Sequence, residues 1–145
     1  MKYDGLFIKN QGPIKMNHRN ERINREIQYQ LIPVYGHVNW DFEDYRWVHV
    51  LNFPLPRGWN APFCDLLIEL PPAYPDVPPS KFYLPKGLRD RYHRMAGHYF
   101  ESGGDLNPYA HKNWAYLCLH MKSWDSSKDT MLTMCQVISA YLKEK

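Results

Sequence analysis

Four short segments rich in aromatic and β-branched residues follow one another along the first half of the chain. They cover residues 34–40, 45–53, 63–70 and 81–84. Within the second segment Trp47, His49 and Phe53 alternate with Val48 and Val50, which is the two-residue period of a strand. The stretches between the segments, residues 41–44, 54–62 and 71–79, contain turn-forming Asp, Gly and Pro. The pattern therefore predicts an antiparallel meander of four strands.

A helical period precedes the meander, and a second one ends the chain. Ile23, Ile27 and Leu31 recur every four residues within residues 16–31, which predicts an amphipathic helix that ends before Pro33. The last segment has a second apolar face, formed by Met131, Met134, Cys135, Ile138, Tyr141 and Leu142. The order helix, meander, long loop, helix predicts an α+β fold.

Residues 85–121 show no clear period. This stretch contains four glycines and four histidines. A loop of this length inside a compact domain is uncommon and often functional. We therefore expect it to be a long active-site loop that leads to the C-terminal helix.

The length and the composition of the chain fit one domain spanning residues 1–145, with residues 1–15 as an N-terminal extension. A net charge of +3 with scattered basic residues argues against a nucleic-acid partner. No apolar segment is long enough for a signal peptide or a membrane span, so we expect a cytoplasmic protein with no membrane partner. The three cysteines are widely spaced without a CxxC pair, which argues against a disulfide framework and a zinc ribbon.

Of the three cysteines, Cys118 is the one with histidines close to it in the sequence. It lies two residues before His120 and seven after His111, and a thiol near imidazole is a plausible nucleophile. The other interpretation is a buried structural cysteine between Leu117 and Leu119. The two remaining cysteines, at positions 64 and 135, lie in apolar patterns and are predicted to be inert core residues.

A metal site is a third interpretation of the same region. Imidazole and thiolate are zinc ligands, and the loop offers His98, His111, His120, Cys118 and Glu101. Their spacings match no common ligand pattern. We therefore predict neither a metal nor a cofactor.

Two stretches together resemble the ubiquitin-conjugating enzymes, the E2 family. FCDLLIELPPAYPDVPPSKFYL, residues 63–84, is similar to that family's strand, YP-x-x-PP corner and next strand. CLHMKSWDSSKDTMLTMCQVISAYL, residues 118–142, is similar to its catalytic Cys-Leu, following Trp and next helix. The likeness covers about residues 46–142, and residues 16–31 take the place of the family's first helix. It implies an E2/UBC-like fold with Cys118 as the nucleophile.

The chain departs from that family where an oxyanion donor is expected. E2 enzymes usually carry His-Pro-Asn eight to ten residues before the cysteine, but Pro108, Tyr109 and Ala110 occupy this window. This combination looks more like the divergent bacterial E2-like proteins. The expected catalytic residues are Cys118, His120, His111, Asn113 and Glu101, with Asn113 or His111 supporting the oxyanion and His120 or His111 acting as base.

The resemblance implies three partners: an E1-like activating enzyme, a ubiquitin-like protein and a protein substrate. Cys118 would accept the modifier as a thioester and pass it to an amine or another acceptor. Arg19, Arg22 and Arg25, expected to be exposed on the first helix, are predicted to contact the activating enzyme. Two alternatives remain, a non-catalytic module that binds a ubiquitin-like protein and a Cys/His hydrolase with or without a metal.

Overall fold

The computed structural model describes residues 17–103 and 107–143, so the predicted N-terminal extension lies outside the described residues. The helical elements are α1 (His18–Glu26), a π-helical turn (Ile27–Leu31), α2 (Ile32–Tyr35), a 3₁₀ turn (Ala110–Lys112) and α3 (Met131–Lys143). The strands are β1 (Val38–Trp40), β2 (Trp47–Pro54), β3 (Phe63–Glu69), β4 (Lys81–Pro85), β5 (Tyr99–Phe100) and β6 (Trp114–Cys118).

The strands form one antiparallel sheet in the order β1-β2-β3-β4-β6-β5. The first four strands are the predicted meander. The prediction of four strands was wrong, because β5 and β6 add two more from the region expected to be loop. All five residues of β6 are apolar or aromatic, so the period of two is invisible in the sequence, and β5 has only two residues.

The first helix passes through Pro33, which contradicts the predicted end before this residue and the predicted strand beginning at Val34. In the π-helical turn the Ile32 N–H donates to the Ile27 carbonyl, five residues earlier. This shift places Pro33 in the first turn of α2. The missing N–H of a proline is tolerated there.

One face of the sheet holds the core. Alternate strand residues are buried there, and buried residues of α1, the π-helical turn and α3 pack over them. The strand members include Val48, Val50, Leu66, Ile68, Phe82, Leu84, Ala115 and Leu117. The predicted face of α3 is confirmed, with Tyr141 half-buried and the other five members buried. Each large apolar side chain buried here contributes about 1.5–3 kcal/mol.

Two of the three arginines predicted to be exposed hold the fold together instead. Arg19 donates to the carbonyl oxygens of Tyr45 and Pro71, at 3.0 Å each. Arg22 donates to the carbonyl oxygens of Ser126 and Asp129, at 2.6 and 2.7 Å. Arg25 is exposed as expected. Guanidinium groups satisfy several acceptors at once, which explains why these positions serve as anchors.

Arg22 also belongs to a buried cluster around Glu26, which is 3% exposed. The Glu26 carboxylate accepts from Arg22 Nε at 2.7 Å, from the Tyr74 hydroxyl at 2.6 Å and from the Met131 N–H at 2.8 Å. We call these four residues the Glu26 cluster. It joins α1 to the proline-rich corner after β3 and to the beginning of α3.

None of the helices in the described part of the chain is both long enough and apolar enough to cross a membrane.

Candidate functional site

The second face of the sheet, the open face, carries two rows of side chains that run across the strands. Residues directly opposite each other in paired strands share a face. In the first row Trp47, Glu69, Lys81 and Cys118 are successive partners on β2, β3, β4 and β6. The Lys81 ammonium lies 3.9 Å from the Glu69 carboxylate. The first row thus consists of an exposed tryptophan, two charged residues and the thiol.

The second row is mainly aromatic. Leu67, Tyr83, Tyr116 and Phe100 are successive partners on β3, β4, β6 and β5. The Tyr116 ring packs against Tyr83, with centroids 5.6 Å apart, and stacks on Phe100 at 6.3 Å. A groove of about 650 Å³ lies beside this row. Its wall includes Trp47, His49, Tyr83, Tyr109 and Trp114.

Cys118 is the half-exposed cysteine of the three, and all three are free thiols. Its Sγ lies 3.4 Å from Nε2 of His120, an exposed side chain two residues later. Cys64 and Cys135 are buried as predicted, and burial raises the pKa of both thiols to about 12. Those two cysteines therefore stay protonated at neutral pH.

The Tyr116 hydroxyl is a second neighbour of the thiol. Tyr116 lies two residues before Cys118 on β6, so both side chains point to the open face. The Tyr116 side chain interacts with that of Cys118, and Tyr116 is 8% exposed. Burial, followed by the contact with Cys118, raises the pKa of Tyr116 to about 12. We call Tyr116, Cys118 and His120 the thiol cluster.

Glu101 has other partners. Its carboxylate forms a two-pronged ion pair with Arg89, at 2.7 and 3.0 Å, and accepts from the Gly87 N–H at 2.7 Å. The hydrogen bond from Arg89 is the main cause that lowers the pKa of Glu101 to about 2. This carboxylate therefore stays ionised and ties the turn after β4 to the end of β5.

His111 and Asn113 lie at the far end of β6 from the thiol. His111 is in the 3₁₀ turn, and Asn113 follows it in a left-handed conformation with φ of 68°. Because the five residues of β6 are extended, Asn113 and Cys118 are separated by roughly 17 Å along the strand. The structure thus brings His120 to Cys118 but keeps His111, Asn113 and the Glu101–Arg89 pair apart from it.

The five residues considered as metal ligands do not form one group either. The His98 ring packs near Tyr141, with centroids 6.5 Å apart, while its carbonyl accepts from the Cys118 N–H at 3.1 Å. Within residues 17–103 and 107–143, no group of three or more His, Cys, Asp or Glu side chains is placed to hold a metal ion.

Sequence reasoning missed two neighbours of the thiol on the open face, Tyr116 and Lys81, and also Glu69, which lies one strand beyond Lys81. Tyr116 carries a visible signal, because a residue two positions before the cysteine shares its side once the segment is recognised as a strand. Lys81 and Glu69 are recognisable only from the strand register, which the sequence pattern does not give.

No curated protein and no solved structure matches the chain. The model of a sequence family, described as prokaryotic E2 family E, matches residues 35–145. This match includes all six strands, the thiol cluster and α3, and it leaves out α1. It agrees with the E2-like order of strand, proline-rich corner, cysteine and helix. The chain belongs to prokaryotic E2 family E.

Proposed function

We propose that this protein is an E2-like transferase that carries a ubiquitin-like modifier as a thioester on Cys118. The observation that supports it best is the contact of 3.4 Å between the half-exposed Cys118 sulfur and His120 Nε2, in a member of an E2 family. An E1-like enzyme supplies the activated modifier, and an amine or another acceptor receives it.

The first step is thioester exchange. The Cys118 sulfur attacks the carbonyl carbon of the modifier's thioester, a new C–S bond forms, and the carbonyl electrons move onto oxygen. The intermediate then collapses, the old C–S bond breaks, and the activating enzyme's thiol leaves with the electron pair. The exchange is nearly balanced in energy, because one thioester replaces another.

His120 is the proposed base of this chemistry. A neutral Nε2 at 3.4 Å is placed to accept the Cys118 thiol proton before attack. His120 passes this proton to the leaving thiolate of the activating enzyme and is neutral again. In the second step the amine nitrogen bonds to the carbonyl carbon, the C–S bond to Cys118 breaks, Cys118 leaves with the electron pair, and the same His120 nitrogen accepts the amine proton. The exposure of His120 suits it to this exchange with the solvent and acceptor. His111, Asn113 and Glu101 have no part in this proposal, because their positions and partners lie elsewhere.

The test uses a synthetic peptide ending in Gly-Gly and activated as a small-molecule thioester, so that no activating enzyme is needed. Intact-protein mass spectrometry should show one peptide added to the wild type and released by a reducing agent. Cys118→Ser should convert this adduct to a reductant-stable ester or abolish it, and Cys118→Ala should form none. His120→Ala should slow transfer to an added amine by about 10²–10⁴-fold.

Cys135→Ala and Cys64→Ala are the matched controls, because they remove a thiol without touching the thiol cluster. Both should form the adduct at the wild-type rate. A reductant-sensitive adduct on the Cys118→Ala variant would overturn the proposal. If the peptide is released as a free acid without a detectable adduct, and Cys118→Ala stops the release, the protein is a thiol hydrolase instead.

A further inference from the structure

The attack of Cys118 on a thioester produces an oxyanion, and the proposed function so far names no group that stabilises it. The backbone N–H of Cys118, often such a donor, is already committed to the His98 carbonyl at 3.1 Å. The Asn113 amide lies at the opposite end of β6. A side chain beside the sulfur can supply the donor instead.

The Tyr116 hydroxyl is such a group. We infer that Tyr116 is a catalytic residue whose hydroxyl donates a hydrogen bond to the oxyanion formed when Cys118 attacks a thioester. The inference rests on the proposed function and adds the stabilising group to it. The Tyr116 side chain lies on the same face of β6 as Cys118 and interacts with it, and the oxyanion forms on the oxygen of the carbon that becomes bonded to that sulfur. The hydroxyl therefore has only a short way to move to reach that oxygen.

The tyrosine is held in place before the reaction begins. Its ring is 8% exposed between Tyr83, at 5.6 Å, and Phe100, at 6.3 Å, and its backbone pairs with β4 and β5. A donor that is already oriented costs no reorganisation when charge develops. Such preorganisation is the main requirement for an oxyanion donor.

The hydroxyl also keeps its proton under working conditions. Burial and the Cys118 contact raise the pKa of Tyr116 to about 12, well above neutral pH. The hydroxyl thus acts as a hydrogen-bond donor and transfers no proton. As the intermediate collapses, the oxyanion electrons re-form the carbonyl, the leaving group departs as a thiolate with its electron pair, and Tyr116 is left unchanged.

The experiment compares two reactions of the same thiol. The first is exchange with the Gly-Gly peptide thioester, which passes through an oxyanion. The second is alkylation by iodoacetamide, in which the sulfur displaces iodide and no oxyanion forms. Both are measured under single-turnover conditions in wild-type protein and in Tyr116→Phe, which keeps the ring and removes only the hydroxyl.

The Tyr116→Phe variant should exchange about 10²–10³-fold more slowly, as expected for the loss of one oxyanion donor, while its alkylation rate changes far less. Tyr83→Phe is the matched control, because the Tyr83 hydroxyl donates to Glu69 at 3.0 Å rather than to the thiol. It should leave both rates unchanged. Unchanged thermal melting of Tyr116→Phe should show that the fold is intact.

The outcomes separate this inference from the proposed function. If the wild type forms no thioester, both fail together. If the wild type forms it and Tyr116→Phe exchanges equally fast, only the role of Tyr116 is overturned. If exchange and alkylation slow by the same factor, Tyr116 acts on the sulfur itself, and the oxyanion role is again overturned.

Discussion

The Glu26 cluster and the thiol cluster both connect polar side chains, yet their central groups differ in burial and in the length of their contacts. Glu26 is 3% exposed, and three donors from three parts of the chain contact its carboxylate within 2.8 Å. Cys118 is half-exposed, its contact with His120 is longer at 3.4 Å, and that partner is exposed.

This difference is the one expected between an anchor and a reactive group. A buried charge that already accepts three short hydrogen bonds gains little by meeting a new partner, and losing one existing partner is costly. A thiol with two loose neighbours can leave them for a substrate at little cost. The comparison therefore predicts that the Glu26 cluster determines stability and that the thiol cluster determines chemistry.

The largest effect on stability should come from Glu26→Ala. The change leaves Arg22, Tyr74 and the Met131 N–H without their shared acceptor, and breaking such a buried pair costs about 3–5 kcal/mol. Urea denaturation monitored by circular dichroism measures this loss. Glu21→Ala, an exposed change on the same helix, should stay within about 0.5 kcal/mol. Equal losses in the two variants would contradict the anchor assignment.

A smaller effect is expected for Glu101→Gln, because this carboxylate is more exposed than Glu26. Removing the charge that pairs with Arg89 should cost about 1–3 kcal/mol at pH 7. The folded pKa of Glu101 is about 2, below the ordinary value of 4.5, so its stabilisation is complete above pH 4.5 and is lost as the pH falls towards 2.

Urea titrations at several pH values test this predicted loss of stability at low pH. The stability difference between wild type and Glu101→Gln should shrink steadily from pH 5 to pH 2. A difference that stays constant over this range would mean that the charge of Glu101 contributes nothing. In that case the contribution of this side chain would come from packing.

The smallest effect should come from Cys118→Ala. Its side chain is half-exposed and anchors no other residue, so the free energy of unfolding should change by no more than about 0.5 kcal/mol. Cys135→Ala, a buried control on α3, should cost about 1–3 kcal/mol. If the order is reversed, the thiol cluster is part of the framework and the comparison fails.

The sequence predicts those elements whose periodicity is visible. The meander shows alternation, α3 shows a helical face, and both are found close to their predicted positions. β6 was missed because Trp114, Ala115 and Tyr116 are all apolar or aromatic, so residues on the two faces look alike. The helix through Pro33 was missed because a π-helical turn leaves no pattern in the sequence.

Within the site, the sequence could predict only contacts between residues that are close in the sequence. His120 lies two residues from Cys118, and a contact between alternate residues of an extended segment follows from local geometry. His111 and Asn113 are also near in sequence, but an extended strand converts five residues into roughly 17 Å. Lys81 lies far away in sequence, and strand pairing places it opposite the thiol.

The pleat of β6 has a consequence for insertions and deletions. Even-numbered positions, Trp114, Tyr116 and Cys118, face outwards, while Ala115 and Leu117 are fully buried. A one-residue deletion within this strand would exchange the two sets while keeping nearly the same composition. The Cys118 side chain would then turn towards the hydrophobic interior. Any change in the number of residues between Trp114 and Cys118 must therefore come in pairs if Cys118 is to stay on the open face.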